Sequence, residues 1–296
     1  MLLDDNLNKN GISSVPCGPA QVHAEVQCPS GVLSMSWNRT EDAGGYTTSI
    51  VSVSTGEQVY CNSTEPFCSV SALQCGESYS VQVRSYNGTC LSMPTESLVI
   101  KEVPCVPTDV ILKRMCANSS VEVSWNGNYG AQSYVAIAVD DSGNSSKCYS
   151  NTTTCSFTNP RCSSVYFIRV RAVNNNCSSL ESQNVTLHTV PCPPTNVQSS
   201  LNCSTNSISV SWDASISAVS YRGRAVGEDG HSVTCDVSSP ACQLNDLHCG
   251  QVYVITIISS DGTCDSPNSQ EHRHKTEIPK RVKPFNESVC LNPTFR

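Results

Sequence analysis

The cysteines of this 296-residue chain form one pattern that is written three times. Eighteen of the nineteen belong to it, six in each repeat, and equivalent cysteines lie 87 or 88 residues apart. Many regularly spaced cysteines in small domains are typical of oxidising compartments, where disulfides persist. We therefore predict a tandem array of small disulfide-bonded domains. The three sets are Cys17, Cys28, Cys61, Cys68, Cys75 and Cys90; Cys105, Cys116, Cys148, Cys155, Cys162 and Cys177; and Cys192, Cys203, Cys235, Cys242, Cys249 and Cys264.

The period of this pattern predicts the domain boundaries. Each repeat lies within the usual size range of domains. A domain this small buries only about 60 to 65 % of the surface that its unfolded chain exposes, so disulfides worth about 2 to 4 kcal/mol each matter for its stability. We predict repeats at 16–104, 105–191 and 192–279, with disordered segments at 1–15 and 280–296.

Alternating apolar and polar residues predict β-strands in every repeat. One such segment ends at a tryptophan, and another begins at a tyrosine later in the repeat. A period of two with one apolar face indicates a strand with one buried side, and no helical period persists over three turns. About seven short strands per repeat indicate an all-β sandwich. The predicted core residues are Trp37, Trp125, Trp212, Tyr79, Tyr166 and Tyr253.

The order of these landmarks resembles the fibronectin type III domain. In that family a corner with a leucine and a tyrosine precedes the penultimate strand. The first repeat has Leu73-Gln-Cys75-Gly76-Glu-Ser-Tyr79, and the third has Leu247-His-Cys249-Gly250-Gln-Val-Tyr253. The middle repeat departs from the pattern with Pro160-Arg-Cys162-Ser163-Ser-Val-Tyr166, which lacks the leucine and the glycine. The resemblance covers about Pro16 to Pro279 and implies three tandem seven-stranded sandwiches.

The disulfide pairing is not fixed by spacing, because six cysteines allow fifteen connectivities. The resembled topology implies that each repeat pairs its first cysteine with its sixth, its second with its fifth and its third with its fourth, since bridged α-carbons lie within about 7 Å. For the first repeat we expect Cys17–Cys90, Cys28–Cys75 and Cys61–Cys68. The equivalent pairs are Cys105–Cys177, Cys116–Cys162, Cys148–Cys155, Cys192–Cys264, Cys203–Cys249 and Cys235–Cys242. The cysteine spacing does not fit a zinc site, and no metal or cofactor is expected.

The junctions between repeats carry prolines and no Gly/Ser spacer. Pro104 and Pro107 flank Cys105, and Pro191 and Pro193 flank Cys192. Proline restricts the backbone, so we predict a stiff, extended rod. Each unit would be about 30 to 35 Å long, from strands of about nine residues at about 3.3 Å each.

The two ends of the sequence do not match a complete secreted protein. The opening residues MLLDDNLNKN lack the basic and apolar regions of a signal peptide, and we expect an incomplete N-terminus. Cys290 lies 87 residues after Cys203, at the second cysteine position of a fourth repeat whose first position carries Lys280. We expect a truncated repeat there, with Cys290 unpaired or bridged to another molecule. No run of about 18 apolar residues predicts a membrane span.

Ten Asn-x-Ser/Thr sequons indicate a glycosylated, secreted surface. Asn176 and Asn202 are less favoured because a cysteine occupies the middle of each sequon, and Asn286 lies in the tail. The predicted sites are Asn38, Asn62, Asn87, Asn118, Asn144, Asn151 and Asn184.

Charge and motifs exclude several functions. A net charge of -7 argues against nucleic acid as a partner, and no catalytic motif is present. The six histidines do not recur at equivalent places, so we interpret them as solvated, including those of the basic strand edge His272–Lys275. Metal chelation by His272 and His274 is the less favoured alternative. The last hairpin loops also lack the Arg-Gly-Asp of adhesive relatives.

The sequence therefore predicts a non-enzymatic extracellular array that contacts a protein partner, whose identity it does not give. One alternative is the ectodomain fragment of a cell-surface receptor or adhesion protein. Another is a small-protein inhibitor or toxin-like effector, which the cysteine density alone suggests.

Overall fold

The structure is a computed structural model, and it describes residues 15–175, 177–202 and 207–276. The predicted all-β class is confirmed: within these residues the chain forms antiparallel sheets and one 3-10 turn at Cys116–Asn118. Six sheets are arranged as three pairs, and each pair encloses its own apolar core. We call the pairs the first, second and third sandwich.

The first sandwich combines a three-stranded and a five-stranded sheet. Their orders are β1-β2-β5 and β4-β3-β6-β7, and β8 also pairs with β6. The strands are β1 (His23–Gln27), β2 (Val32–Ser36), β3 (Gly45–Ser52), β4 (Gln58–Ser63), β5 (Phe67–Val70), β6 (Ser78–Asn87), β7 (Cys90–Leu91) and β8 (Leu98–Lys101).

The second sandwich repeats this plan without the two-residue strand. Its strands are β9 (Thr108–Met115), β10 (Ser120–Asn126), β11 (Ser133–Asp140), β12 (Ser145–Ser150), β13 (Thr154–Thr158), β14 (Val165–Val173) and β15 (Val185–His188). They form sheets of order β13-β10-β9 and β12-β11-β14-β15.

The third sandwich has the same seven-stranded topology. Its sheets have the orders β16-β17-β20 and β19-β18-β21-β22. The strands are β16 (Thr195–Asn202), β17 (Ser207–Asp213), β18 (Ser220–Gly227), β19 (Ser232–Val237), β20 (Ala241–Leu244), β21 (Val252–Ser260) and β22 (His272–Lys275).

An aromatic pair lies in each core. In the first sandwich Trp37 is 6 % exposed, and its ring centroid lies 5.3 Å from that of Tyr46 in an edge-to-face arrangement. The equivalent distances are 5.3 Å for Trp125 and 5.5 Å for Trp212. Such pairs add about 0.5 to 1.5 kcal/mol beyond the burial of their area. The core therefore follows the alternating pattern of the sequence.

Tyrosines also fix the corner before the penultimate strand. The Tyr79 hydroxyl accepts the Gln74 N–H at 2.9 Å, and Tyr253 accepts the His248 N–H at the same distance. Both rings are buried, whereas Tyr166 is only half-buried and packs against the rim of its core. Its hydroxyl still accepts the Arg161 N–H at 3.0 Å. The middle corner thus keeps this bond although it lacks the leucine and the glycine.

One disulfide joins the two sheets of each sandwich. Cys61 on β4 bonds to Cys68 on β5, with the α-carbons 6.4 Å apart, and these strands belong to different sheets. The same bridge recurs as Cys148–Cys155 and Cys235–Cys242. The expected local pair is therefore present in all three sandwiches.

Candidate functional site: the disulfide-linked junctions

Four disulfides connect neighbouring sandwiches. Between the first and second, at junction 1, the bridges are Cys75–Cys105 and Cys28–Cys177, with α-carbons 4.9 and 5.5 Å apart. Between the second and third, at junction 2, the bridges are Cys162–Cys192 and Cys116–Cys264, at 4.9 and 5.3 Å. At both junctions the fifth cysteine of one repeat pairs with the first of the next, and the second pairs with the sixth of the next.

This pairing corrects the expectation from the sequence. The hairpin after Cys28 and the corner at Cys75 do lie close together, because a Cβ on Gly31 and the N–H of Gly76 both meet the Glu102-Val103 segment. That segment, however, leads directly into the next sandwich, which supplies the bonding cysteines. The expected pairs that the structure replaces are Cys28–Cys75, Cys105–Cys177, Cys116–Cys162 and Cys192–Cys264.

The remaining cysteines belong to pairs that the structure does not form or does not describe. Within the described ranges, Cys17 and Cys249 are exposed free thiols, so Cys17–Cys90 and Cys203–Cys249 are not formed as expected. Cys90 is half-buried. Cys203 and Cys290 lie outside the described residues. Of the segments expected to be disordered, all of 280–296 and residues 1–14 of 1–15 lie outside them as well.

Junction 1 brings two backbones into direct contact. The Gly76 N–H donates to the Val103 carbonyl at 2.6 Å, and the Cys105 N–H donates to the Tyr129 carbonyl at 3.4 Å. Gly76 has φ +74°, and a Cβ there would lie 2.4 Å from the Tyr129 oxygen. On the other side of the junction, Gly130 has φ +79°, and a Cβ there would lie 2.5 Å from the Gly76 Cα. Only residues without a side chain allow this approach.

Junction 2 has a serine where junction 1 has Gly76, and its side chain makes a different contact. Ser163 stands in the place of Gly76 with φ +49°. Its hydroxyl donates to the Ile216 carbonyl at 3.1 Å and accepts the Cys192 N–H at 2.9 Å. Its own N–H donates to the Val190 carbonyl at 2.8 Å. The hydroxyl therefore replaces the direct backbone approach of junction 1.

Junction 2 also contains an ion pair between Arg114, on β9, and Asp261, in the loop after β21. The two side chains are only 26 % and 16 % exposed. Burial favours a higher pKa for Asp261, but hydrogen bonds from the Cys264 N–H and from Arg114 outweigh it and hold the pKa below its ordinary value. The carboxylate therefore stays charged and paired across the junction.

Glu102 is a buried acid at junction 1. It is 1 % exposed; its Oε1 accepts the Val103 N–H at 2.9 Å, whereas its Oε2 has no partner. Burial raises its pKa. Thr189 and Thr276 occupy the equivalent place, since their N–H groups bond to Ser164 and Gln251 as that of Glu102 bonds to Glu77. Their hydroxyls are hydrogen-bonded, so of these three equivalent residues Glu102 alone carries an unsatisfied polar atom.

Histidines form contacts that the sequence did not predict. Ser199 Oγ lies 2.7 Å from His272 Nε2 and 2.8 Å from His274 Nδ1, so these two residues are not simply solvated. Burial and the neighbouring His272 lower the pKa of His274. Alternation along β22 places His272 and His274 on one face of the strand. The sequence did not indicate their contact with Ser199, which lies 73 and 75 residues away.

A second histidine cluster lies at the corner of the third sandwich. The rings of His231 and His248 stack at 4.0 Å, and His248 Nδ1 lies 2.6 Å from Asp229 Oδ2. A hydrogen bond from His248 lowers the pKa of Asp229. Among the described residues, no group of three or more His, Cys, Asp and Glu is arranged to hold a metal ion.

Most predicted glycosylation sites lie on the surface. Five are exposed, Asn87 is half-buried, and the side chains of Asn118, Asn176 and Asn202 are not described. The exposed asparagines are Asn38, Asn62, Asn144, Asn151 and Asn184. Asn286 lies outside the described residues.

The strand order and the tyrosine corners, together with the relatives of the chain, identify it as a tandem array of fibronectin type III domains, and it belongs to that family. No family model matched the sequence. The chain is similar to Fibronectin type III domain-containing protein 7. It is 31 % identical to the mouse protein over 258 residues, covering 86 % of this chain and 34 % of the relative. It is 30 % identical to the human protein over 247 residues, covering 82 % and 32 %.

The chain thus spans about a third of the length of these curated relatives. Two solved structures are also similar. The FN1–FN3 domains of chicken CNTN1 match with a TM-score of 0.33 and 17 % identity, covering 89 % of this chain and 99 % of theirs. A two-domain fibronectin type III segment of chicken tenascin matches with a TM-score of 0.32 and 23 % identity, covering 57 % and 99 %.

In the described part of the chain, no helix has the length and apolar character needed to cross a membrane.

Proposed function

We propose that the chain is a non-enzymatic extracellular array whose disulfide-linked junctions hold successive domains in a fixed orientation, so that loops from neighbouring domains can contact one protein partner. The observation that carries this proposal is the four disulfides that cross the two junctions. In this proposal the domains are 16–104, 105–191 and 192–279.

The disulfides support an extracellular location. Bridges of this kind persist in secreted proteins and are rare in the cytosol, where thiols are kept reduced. Seven disulfides occur among the described residues, and five of the predicted glycosylation sites are exposed. Fibronectin type III arrays are typical of extracellular or cell-surface proteins, which agrees with both observations.

The positions of the bridges support a fixed orientation. A single bridge beside a linker would leave the next domain free to swing about it. Here Cys75–Cys105 lies at the linker, while Cys28–Cys177 joins a hairpin to a loop far along the chain. Two covalent attachments at separate points oppose hinge motion, and the extended rod predicted from the prolines would follow from them.

The experiment compares two disulfide deletions in the full chain. A Cys28→Ser, Cys177→Ser variant removes one attachment at junction 1, and a Cys61→Ser, Cys68→Ser variant removes a bridge inside the first sandwich. Small-angle scattering should show a broader distribution of dimensions for the junction variant and an unchanged overall shape for the control. Peptide mapping of the secreted wild-type chain should recover the Cys28–Cys177 peptide.

Two outcomes would contradict the proposal. One is a secreted, folded chain in which Cys28 is joined to Cys75, because the junction would then lack its second attachment. The other is identical scattering for the junction variant and the wild type, because orientation would then not depend on that bridge.

A further inference from the structure

A cavity of about 260 Å³ lies at junction 2, between the second and third sandwiches, and its wall is predominantly apolar. Val121 and Thr189 line it from the second sandwich, and Pro193 and Pro267 line it from the third. Val121 and Thr189 are buried, so the cavity reaches the interior of the junction. Both sandwiches therefore contribute to one site, which we call the junction-2 cavity.

The corner of the middle repeat helps to open this cavity because it lacks a leucine. Leu73 packs against the core of the first sandwich, and Leu247 is buried in the core of the third. The equivalent residue of the second sandwich is Pro160, which lines the cavity. The ring of proline is smaller than the side chain of leucine and stays close to its own backbone. The departure from the corner pattern thus leaves space at junction 2.

A second difference between the junctions adds to this space. At junction 1 the side chain of Glu102 reaches the hairpin turn, because a Cβ on Gly31 would lie 2.9 Å from Glu102 Oε1. At junction 2 the equivalent residues are Thr189 and Ser119, and both line the cavity. The Thr189 hydroxyl instead donates to the Arg161 carbonyl at 2.8 Å, within its own sandwich. The shorter side chain therefore leaves unfilled the place that Glu102 occupies at junction 1.

The junction holds this space open. Both of its disulfides border the cavity, one through Cys116 and Cys264 and the other through Cys162. These two covalent attachments fix the separation of the sandwiches, and a cavity persists where the surrounding structure relaxes only partially. The site is therefore formed before a ligand binds, as is usual for sites of small molecules.

The main polar side chains of the wall already have partners. Arg114 lines the cavity, but its charge is paired with Asp261, and it also donates to the His188 carbonyl at 3.4 Å. Thr189 is hydrogen-bonded to its own sandwich. An anionic ligand would have to displace Asp261 from Arg114, whereas a neutral apolar ligand displaces nothing. Apolar cavities accept ligands of this second kind.

The size and the wall of the cavity favour an aromatic ligand. An apolar cavity of about 150 Å³ accepts benzene, so one of about 260 Å³ has room for two fused rings. Met115 and Arg114 both line the cavity. A thioether sulfur makes favourable contacts with aromatic rings, and a planar guanidinium stacks on their faces.

We infer that the junction-2 cavity binds a neutral aromatic compound with two fused rings, of about the size of indole, and holds it against both sandwiches. The inference goes beyond the proposed function, because it rests on the geometry of junction 2 and does not depend on a protein partner or on the location of the protein.

Saturation-transfer NMR of the full chain, with indole as the probe, tests this binding. Indole should receive saturation from the protein. Indoleacetate has the same rings and an added carboxylate, and it should bind about tenfold more weakly, because Asp261 already pairs with Arg114. Octanol, an apolar compound without a ring, should also bind more weakly than indole. Photolabelling with azidoindole should modify peptides that contain Met115 or Pro267, which are exposed residues of the wall.

A variant that fills the cavity is the sharpest test. Pro160→Leu restores the leucine of the other two corners, and it should weaken indole binding about tenfold, because the added side chain occupies the site. Thr154→Leu is the matched control, since it adds the same side chain at an exposed position of the same sandwich. The control should bind indole as the wild type does.

Recovery of both disulfide-linked peptides of junction 2 shows that a variant is folded. Should Pro160→Leu fail this check, Val121→Leu is the second variant, because it enlarges a buried wall residue to the one that the first sandwich has at Leu33, and it should also weaken binding. The inference would be overturned by a lack of saturation transfer to indole, by equal affinity of wild type and folded Pro160→Leu, or by labelling away from junction 2. Binding of indoleacetate or octanol that equals or exceeds that of indole would overturn it as well.

Discussion

Replacing Gly76 by alanine tests whether the close backbone contact at junction 1 stabilises the array. Two costs arise at this position. The φ of +74° is unfavourable for any residue with a Cβ, by about 1 to 2 kcal/mol. The new Cβ would also lie 2.4 Å from the Tyr129 oxygen and 2.6 Å from its carbonyl carbon, so one backbone must move. Overpacking of this kind costs about 1 to 3 kcal/mol.

Gly56 provides the matched control in the same sandwich. Its φ is +73°, but a Cβ there would meet nothing within 4 Å. Gly56→Ala therefore carries the backbone cost alone, about 1 to 2 kcal/mol. We expect Gly76→Ala to destabilise by about 2 to 5 kcal/mol, since the junction term adds to the backbone term. The difference between the two variants isolates the contact between sandwiches.

Hydrogen exchange of the full chain measures this difference locally. The Gly76 and Cys105 N–H groups bond to the Val103 and Tyr129 carbonyls, one on each side of the junction. In Gly76→Ala their exchange should accelerate about tenfold for every 1.4 kcal/mol lost, while Gly56→Ala leaves these amides protected. Equal protection in both variants would refute the reasoning, because it would mean that Tyr129 moves away without cost.

Three further predictions follow from side chains at the junctions and on the surface. Glu102→Thr should stabilise the chain by about 1 to 3 kcal/mol at neutral pH, because it removes an unsatisfied buried acid. Because the pKa of Glu102 is raised in the folded state, its protonated form favours folding, and this contribution is lost as the pH rises through the folded pKa. Urea denaturation should therefore show a smaller gain in unfolding free energy from Glu102→Thr at pH 4 than at neutral pH. Thr189→Glu should instead destabilise the chain at neutral pH. Arg114→Ala should destabilise junction 2 by about 1 to 3 kcal/mol, since Asp261 loses a partner in a partly buried site, and added salt should reduce this loss only slightly. Asn62→Gln should remove one glycan from the secreted chain without changing its melting temperature, because Asn62 is exposed; an unchanged mass would contradict this.

Much of each sandwich could be predicted from the sequence because its signals are local. Strand alternation and the tryptophan–tyrosine spacing depend on residues that are close in the chain, and the core contains the residues they indicate. The contacts of His272 and His274 were missed because Ser199 lies 73 and 75 residues away in sequence. Glu102 was missed because an acid beside Val-Pro-Cys carries no signal of its burial.

The disulfide pairing could not be predicted for a different physical reason. In a tandem array, equivalent cysteines recur in every unit, so a pattern that fits pairing inside one domain fits pairing between neighbours equally well. Pairing inside a domain leaves each unit complete. Pairing between neighbours, as at Cys75–Cys105, instead uses one cysteine from each of two units. Only the three-dimensional path of the chain from one sandwich into the next decides between the two kinds of pairing, and that path brings Cys105 to Cys75 and Cys177 to Cys28.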